Sequence, residues 1–264
     1  MSTLWNLLGQ GVFFILWPIF LIRKKKWINR VKQRQTLRLG QNNLWKQTFK
    51  YNFKHAWITL GNHKFNIQLP KPKILGKAFL DGSLRANRPL FLGGIHQGLI
   101  ELVLHQIPKD IPIFIWAPQK GWASKLNKKR QSISPNIYTG EGDAWKAWLN
   151  SKHPTPVFIA LIDQGFHKRN PEEIILGHRC GMAWNLIEKA TQKNAQLLWF
   201  HQWENLKKQH LLRFAPIPIH TPETMRSSLA KEIESSILLA PSQWVWHYKK
   251  HWSSPEKKLT DEAN

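Results

Sequence analysis

Four histidines in this chain are followed by an acidic residue five positions on: His96/Glu101, His105/Asp110, His167/Glu172 and His251/Glu256. A carboxylate beside an imidazole fixes its tautomer and supports the imidazolium, so such a pair can take a proton from a hydroxyl or amine near neutral pH. With 12 His and 16 acidic residues in 264 positions, chance supplies roughly one such spacing, and context has to choose. Pro108, Pro171 and Pro255 fall inside the last three pairs and break any helical connection between their side chains. Only Arg88 to Leu104, RPLFLGGIHQGLIELVL, sets its pair between an apolar run (Leu90-Phe91-Leu92), a Gly93-Gly94 junction and a proline-free apolar run. That pattern predicts a buried strand delivering His96 to the start of a helix that carries Glu101. The plainer alternative is a strand-end histidine and a solvated helix glutamate.

Around this stretch, strand and helix patterns alternate. Trp45, Phe49, Phe53, Ala56, Trp57 and Leu60 recur at helical spacing with Lys46, Lys50 and Lys54 between them. Ile74 to Asn87 reads as a helix, and Ile111 to Trp116 as a strand whose Pro112 belongs at a sheet edge or at the first residue. Gly121 to Arg130 and Asp143 to Asn150 read as helices, and PVFIALID, Pro156 to Asp163, is the clearest strand. Gly181 to Asn194 is an amphipathic helix, followed by strands Ala195 to Phe200 and Leu211 to Ile219 and a helix from Pro222 to Leu239. The alternation predicts an α/β fold, a mixed sheet flanked by helices. Ligands in such sheets bind at the carboxyl ends of strands, where His96 and Asp163 both fall.

Composition adds a setting. Lys+Arg of 39 against Asp+Glu of 16 gives +23, which calls for an anionic partner, and 15 Trp beside so many cations suit a membrane interface better than a DNA groove. Cys180 is the single cysteine, so an internal disulfide and a thiolate metal site are excluded. No HExxH motif occurs and the histidines are scattered, so no metal and no cofactor are expected. Leu4 to Ile22 is an apolar segment closed by Arg23-Lys24-Lys25-Lys26. If helical it reaches across a bilayer core of roughly 30 Å or, with Pro18 as a kink, lies as a shallow monotopic or re-entrant helix, and the basic cluster after it keeps the downstream chain on the cytoplasmic face. The expected organisation is a membrane anchor over residues 1–26 and a single domain over 27–264. Trp27 to Arg38 would face anionic headgroups.

The segment His96-Gln97-Gly98-Leu99-Ile100-Glu101 resembles the HxGxxE signature of the bacterial lipid A biosynthesis (lauroyl/myristoyl) acyltransferases. Three later blocks agree in order. Ala117-Pro118-Gln119 with Lys128-Lys129-Arg130 resembles the family's strand-end block and downstream arginine, and Leu161-Ile162-Asp163-Gln164 is similar to its DQ block. Pro241-Ser242-Gln243-Trp244-Val245-Trp246-His247 is similar to its closing segment. The stretch after Gln164 follows the family only loosely, and the wider glycerophosphate acyltransferase superfamily usually carries Asp where this chain has Glu101.

The resemblance implies a glycerophosphate acyltransferase-like fold with an N-terminal membrane-anchoring helix, at a bacterial inner membrane with its catalytic domain on the cytoplasmic face. It implies an acyl carrier protein or coenzyme A thioester as donor. The acceptor it implies is a lipid: a lipid A precursor, another amino- or glycolipid, or a lysophospholipid. His96 would be the general base and Glu101 the carboxylate that holds it. Backbone N–H groups around Gly98 would stabilise the oxyanion, Arg130 would clamp a phosphate, and Asp163 and Gln164 would shape the substrate site. A membrane-tethered nucleic-acid or partner-binding protein is the reading from another class, but no nucleic-acid module is recognisable and no nucleic acid is expected. A hydrolase lacks a GxSxG elbow.

Overall fold

The computed structural model describes residues 25–41, 43–65, 67–119, 121–163, 172–218, 221–244 and 246, with 5, 7–13 and 15 near the amino terminus. In chain order the strands are β1 (Lys73–Leu75), β2 (Leu90–Gly94), β3 (Ile113–Trp116), β4 (Ile137–Gly140), β5 (Val157–Leu161), β6 (Glu172–Ile175), β7 (His178–Gly181), β8 (Gln196–Glu204) and β9 (His210–Pro216). The helices are α1 (Lys25–Leu39), α2 (Trp45–Phe65), α3 (Lys77–Arg85), α4 (Ile100–Leu104), α5 (Gly121–Gln131), α6 (Gly142–Leu149), α7 (Trp184–Gln192) and α8 (Pro222–Leu239).

Seven strands form one sheet in the order β1-β9-β8-β2-β5-β3-β4. Its neighbours are parallel except β8 with β9, and β6 and β7 make a separate antiparallel hairpin. Helices cover both faces, which makes the expected mixed α/β sheet a fact of the structure.

Period-two alternation builds a core on each face. Leu90, Leu92, Val157, Ile159, Ile113 and Ile115 point one way, against Leu80 of α3 and Ile100 and Val103 of α4. Phe91, Phe158, Ala160 and Phe114 point the other way, against Trp148 of α6, Ile187 of α7 and Ile233 of α8. Each of the Val, Leu, Ile and Phe side chains among them contributes about 1.5–3 kcal/mol on full burial. The central strands are therefore the most deeply buried part of the sheet.

Several local expectations change in the structure. Pro112 lies just ahead of β3, an interior strand, and its carbonyl accepts from Val157 N–H at 3.0 Å. A proline there removes no ladder donor. The helix expected over Ile74 to Asn87 starts only after Gly76, whose φ of 69° is left-handed, and Lys73–Leu75 pairs instead with β9. The basic run after residue 24 is a helix, α1, with Val31 and Gln35 buried.

Among the described residues no helix is long and apolar enough to cross a membrane. The expected N-terminal anchor is therefore without support, although part of Leu4 to Ile22 lies outside the described residues. The described part of that segment packs on α2. Trp5 stacks on Trp57 at 4.6 Å between ring centroids, each indole N–H donates to the other's carbonyl at 3.3 and 2.9 Å, and Phe13 meets Phe49 and Phe53.

Candidate active site

Strands β2 and β5 pair in parallel with Leu90 opposite Val157 and Gly94 opposite Leu161. His96 and Asp163 each stand two residues beyond these matched ends, so the register brings them off the sheet side by side. Gly94 is needed where it is because a Cβ there would sit 2.5 Å from the Phe200 ring. That close approach lets β8 pack against the end of β2.

Asp163 holds His96 twice. Its Oδ1 lies 2.6 Å from His96 Nδ1 and its Oδ2 accepts from the His96 backbone N–H at 2.9 Å. The same Oδ2 accepts from Trp244 Nε1 at 2.8 Å. The Asp163 side chain is 0% exposed and that of His96 17%, so the carboxylate is withdrawn from water and satisfied by protein donors, as a buried charge must be. A carboxylate only accepts, so the ring proton on Nδ1 donates to it and the lone pair lies on Nε2.

Glu101 has a different partner. Its Oε1 accepts from Arg130 Nε at 3.0 Å, and Arg130 also donates to Asn127 Oδ1 at 3.1 Å. The carboxylate expected on the imidazole is thus Asp163, a residue expected only to shape the substrate site. The reason is directional: Asp163 leaves a strand adjacent to His96, whereas Glu101 sits in the first turn of α4 and faces α5. Among the described residues, two bonds occupy two of the five donors of the Arg130 guanidinium.

Gly98 turns the chain between His96 and α4. Its φ is +88°, and a Cβ would lie 2.5 Å from Cβ of Gln202. Gln202 Oε1 accepts from Leu99 N–H at 2.8 Å, so this amide is already used and is not available as an oxyanion donor. Gln164 lies outside the described residues.

His96, Gly98, Glu101 and Arg130 line one cavity of about 210 Å³ with Tyr51, His55 and Gln202. Burial pushes the Tyr51 hydroxyl well above its ordinary pKa, with Glu204 adding to the effect. Sequence reasoning missed three contributors. Trp244 stood in the tail block, but its bond to Asp163 spans 81 positions. Gln202 follows a buried strand run, and Tyr51 lies on a helix read as core packing.

The carboxyl-terminal segment closes the arrangement. Gln243 exchanges two hydrogen bonds with the Glu204 backbone, at 2.8 and 2.6 Å, Gln97 bridges to Trp244, and Trp246 packs edge-on against Trp244 at 4.9 Å. The chain matches no protein-family model and no curated protein. The chemistry of these side chains is what remains to define its class.

Proposed function

We propose that the protein is an acyltransferase that moves a fatty acyl chain from a thioester of acyl carrier protein or coenzyme A to a hydroxyl or amine of a lipid. The observation that carries this reading is His96, fixed on Nδ1 by a buried carboxylate and lining a cavity at the strand ends. In this reading Nε2 takes the acceptor proton as the acceptor oxygen or nitrogen attacks the thioester carbonyl. The tetrahedral intermediate collapses, the carbon–sulfur bond breaks, and the imidazolium returns the proton to the departing thiolate.

Asp163 keeps the ring in the productive tautomer and supports its charge. The described lining of the cavity holds no serine or cysteine, and Cys180 is buried elsewhere beside Arg38. Direct attack by the acceptor therefore suits the site better than a covalent acyl-enzyme. Arg130, anchored by Glu101 and Asn127, offers its remaining donors to phosphate oxygens of donor or acceptor.

The architecture fits a glycerophosphate acyltransferase-like fold, and the ordered sequence blocks favour a lipid A precursor over other amino-, glyco- or lysophospholipids as acceptor. The +23 charge suits an anionic membrane surface and an acidic carrier protein, and a bacterial inner membrane with the site on the cytoplasmic face is the corresponding location. Lipid mass spectrometry of cells with and without the gene should reveal one missing acyl chain. His96→Ala, folded by circular dichroism, should reproduce that loss. Full acylation with His96→Ala would refute the reading.

A further inference from the structure

Strands β8 and β9 pair with Glu204 directly opposite His210. Such partners put their side chains on one face of the sheet, about 4.5–5.5 Å apart at Cβ. Helix α2 lays His55 over the same place. One ligating atom from each of the three residues lies within 4.8 Å of the other two, and His210 Nε2 stands 3.6 Å from Glu204 Oε2.

His55 is 8% exposed, and among the described residues its Nε2 has no hydrogen-bond partner. A buried ring nitrogen without a protein partner is a position that a bound cation would fill. Burial keeps the His55 pKa well below its ordinary value, helped by His210 and Lys54, and burial also lowers that of His210. Neutral imidazole is the ligating form.

We propose that His55, Glu204 and His210 form a binding site for a divalent transition-metal ion, with Zn²⁺ the best match. Two imidazoles and one carboxylate are a donor set that suits zinc, with a fourth tetrahedral position left to water. Bond lengths near 2.0–2.2 Å put neighbouring ligand atoms roughly 3.3 Å apart, so the 3.6 Å pair is nearly in place and the widest gap closes by rotamer adjustment.

One resident cation competes. Lys54 Nζ hydrogen-bonds Glu204 Oε2, but its side chain is 38% exposed and can swing to water when a dication arrives. The site is set in a wall between two cavities. His55 lines the one that holds His96, while Glu204 and His210 line a larger one of about 840 Å³. An ion there would tie α2 to the β8–β9 hairpin.

The test uses the full chain, stripped with chelator and titrated with Zn²⁺ by calorimetry, with Co²⁺ absorption reporting four-coordination. It needs no acyl-transfer activity. One equivalent per chain should bind. His210→Ala, Glu204→Gln and His55→Gln, each folded by circular dichroism, should each weaken binding beyond the roughly 10–100-fold that loss of an outer partner costs. Lys54→Ala should tighten it by removing the competing cation. His96→Ala should bind as the unaltered protein does, since its imidazole belongs to the other constellation. Absence of stoichiometric Zn²⁺ binding, binding that survives His55→Gln with His210→Ala, or binding lost with His96→Ala would each overturn the assignment.

Discussion

In an Asp163→Asn variant the amide keeps the shape of the side chain but removes the charge that faces the His96 ring, and it can present N–H where the ring needs an acceptor. Loss of the orienting carboxylate in a comparable triad lowers kcat by about 10⁴. A fall of roughly 10³–10⁴ is expected here on the same principle. Glu101→Gln should act differently, because Glu101 holds Arg130. Under the proposed acyl transfer, its expected signature is a raised KM for whichever substrate carries a phosphate, with a smaller change in kcat. Steady-state kinetics on both variants separate the two carboxylates, and the reverse pattern would return Glu101 to the imidazole. His96 was legible because an apolar run and a glycine pair announced a strand end. Its partner was not, since Asp163 lies 67 positions away and only strand pairing reveals that they meet. Trp244 was visible only as part of a block, with nothing local to say that its indole would reach a carboxylate.

At the scale of elements, the end of β2 depends on the absence of a side chain at Gly94. Gly94→Ala drives a methyl to 2.5 Å from the Phe200 ring, and overpacking of this kind costs about 1–3 kcal/mol. The strand end must shift, and His96 shifts with it. Calorimetry should show a lowered Tm and kinetics a lowered kcat; an unchanged Tm would mean that Phe200 yields freely. The strands around this position were readable as continuous apolar runs because helices cover both faces of the sheet. Helix α8 matched its expected bounds because Thr221 caps it, with Pro222 in its first turn and Thr224 completing a capping box. Shorter or more polar elements carried no such signal. Strand β4 is only IYTG, with Tyr138 exposed, the hairpin of β6 and β7 opens with Glu172-Glu173, and β1 is three residues long beside a left-handed glycine.

For the whole molecule, buried histidine makes stability depend on acidity. Burial, aided by Arg213, lowers the His201 pKa to about 3 from an ordinary 6.5. Between those values the unfolded chain binds the proton and the folded chain does not, so the contribution is complete above pH 6.5 and is lost as pH falls toward 3. A single such group contributes a slope approaching about 1.4 kcal/mol per pH unit. Denaturant titrations between pH 6.5 and 5, above the range where most carboxylates protonate, should show stability falling. His201→Leu should flatten that slope, and an identical slope in the variant would show that His201 does not contribute. The paired ends of β2 and β5 carry a different consequence. That pairing is made inside the sheet, so the loops between the intervening elements can lengthen or shorten while His96 and Asp163 stay in contact. Descendants of one ancestor could therefore lose every constant interval between the two residues, and their kinship would outlast, in shape, any trace of it in aligned text.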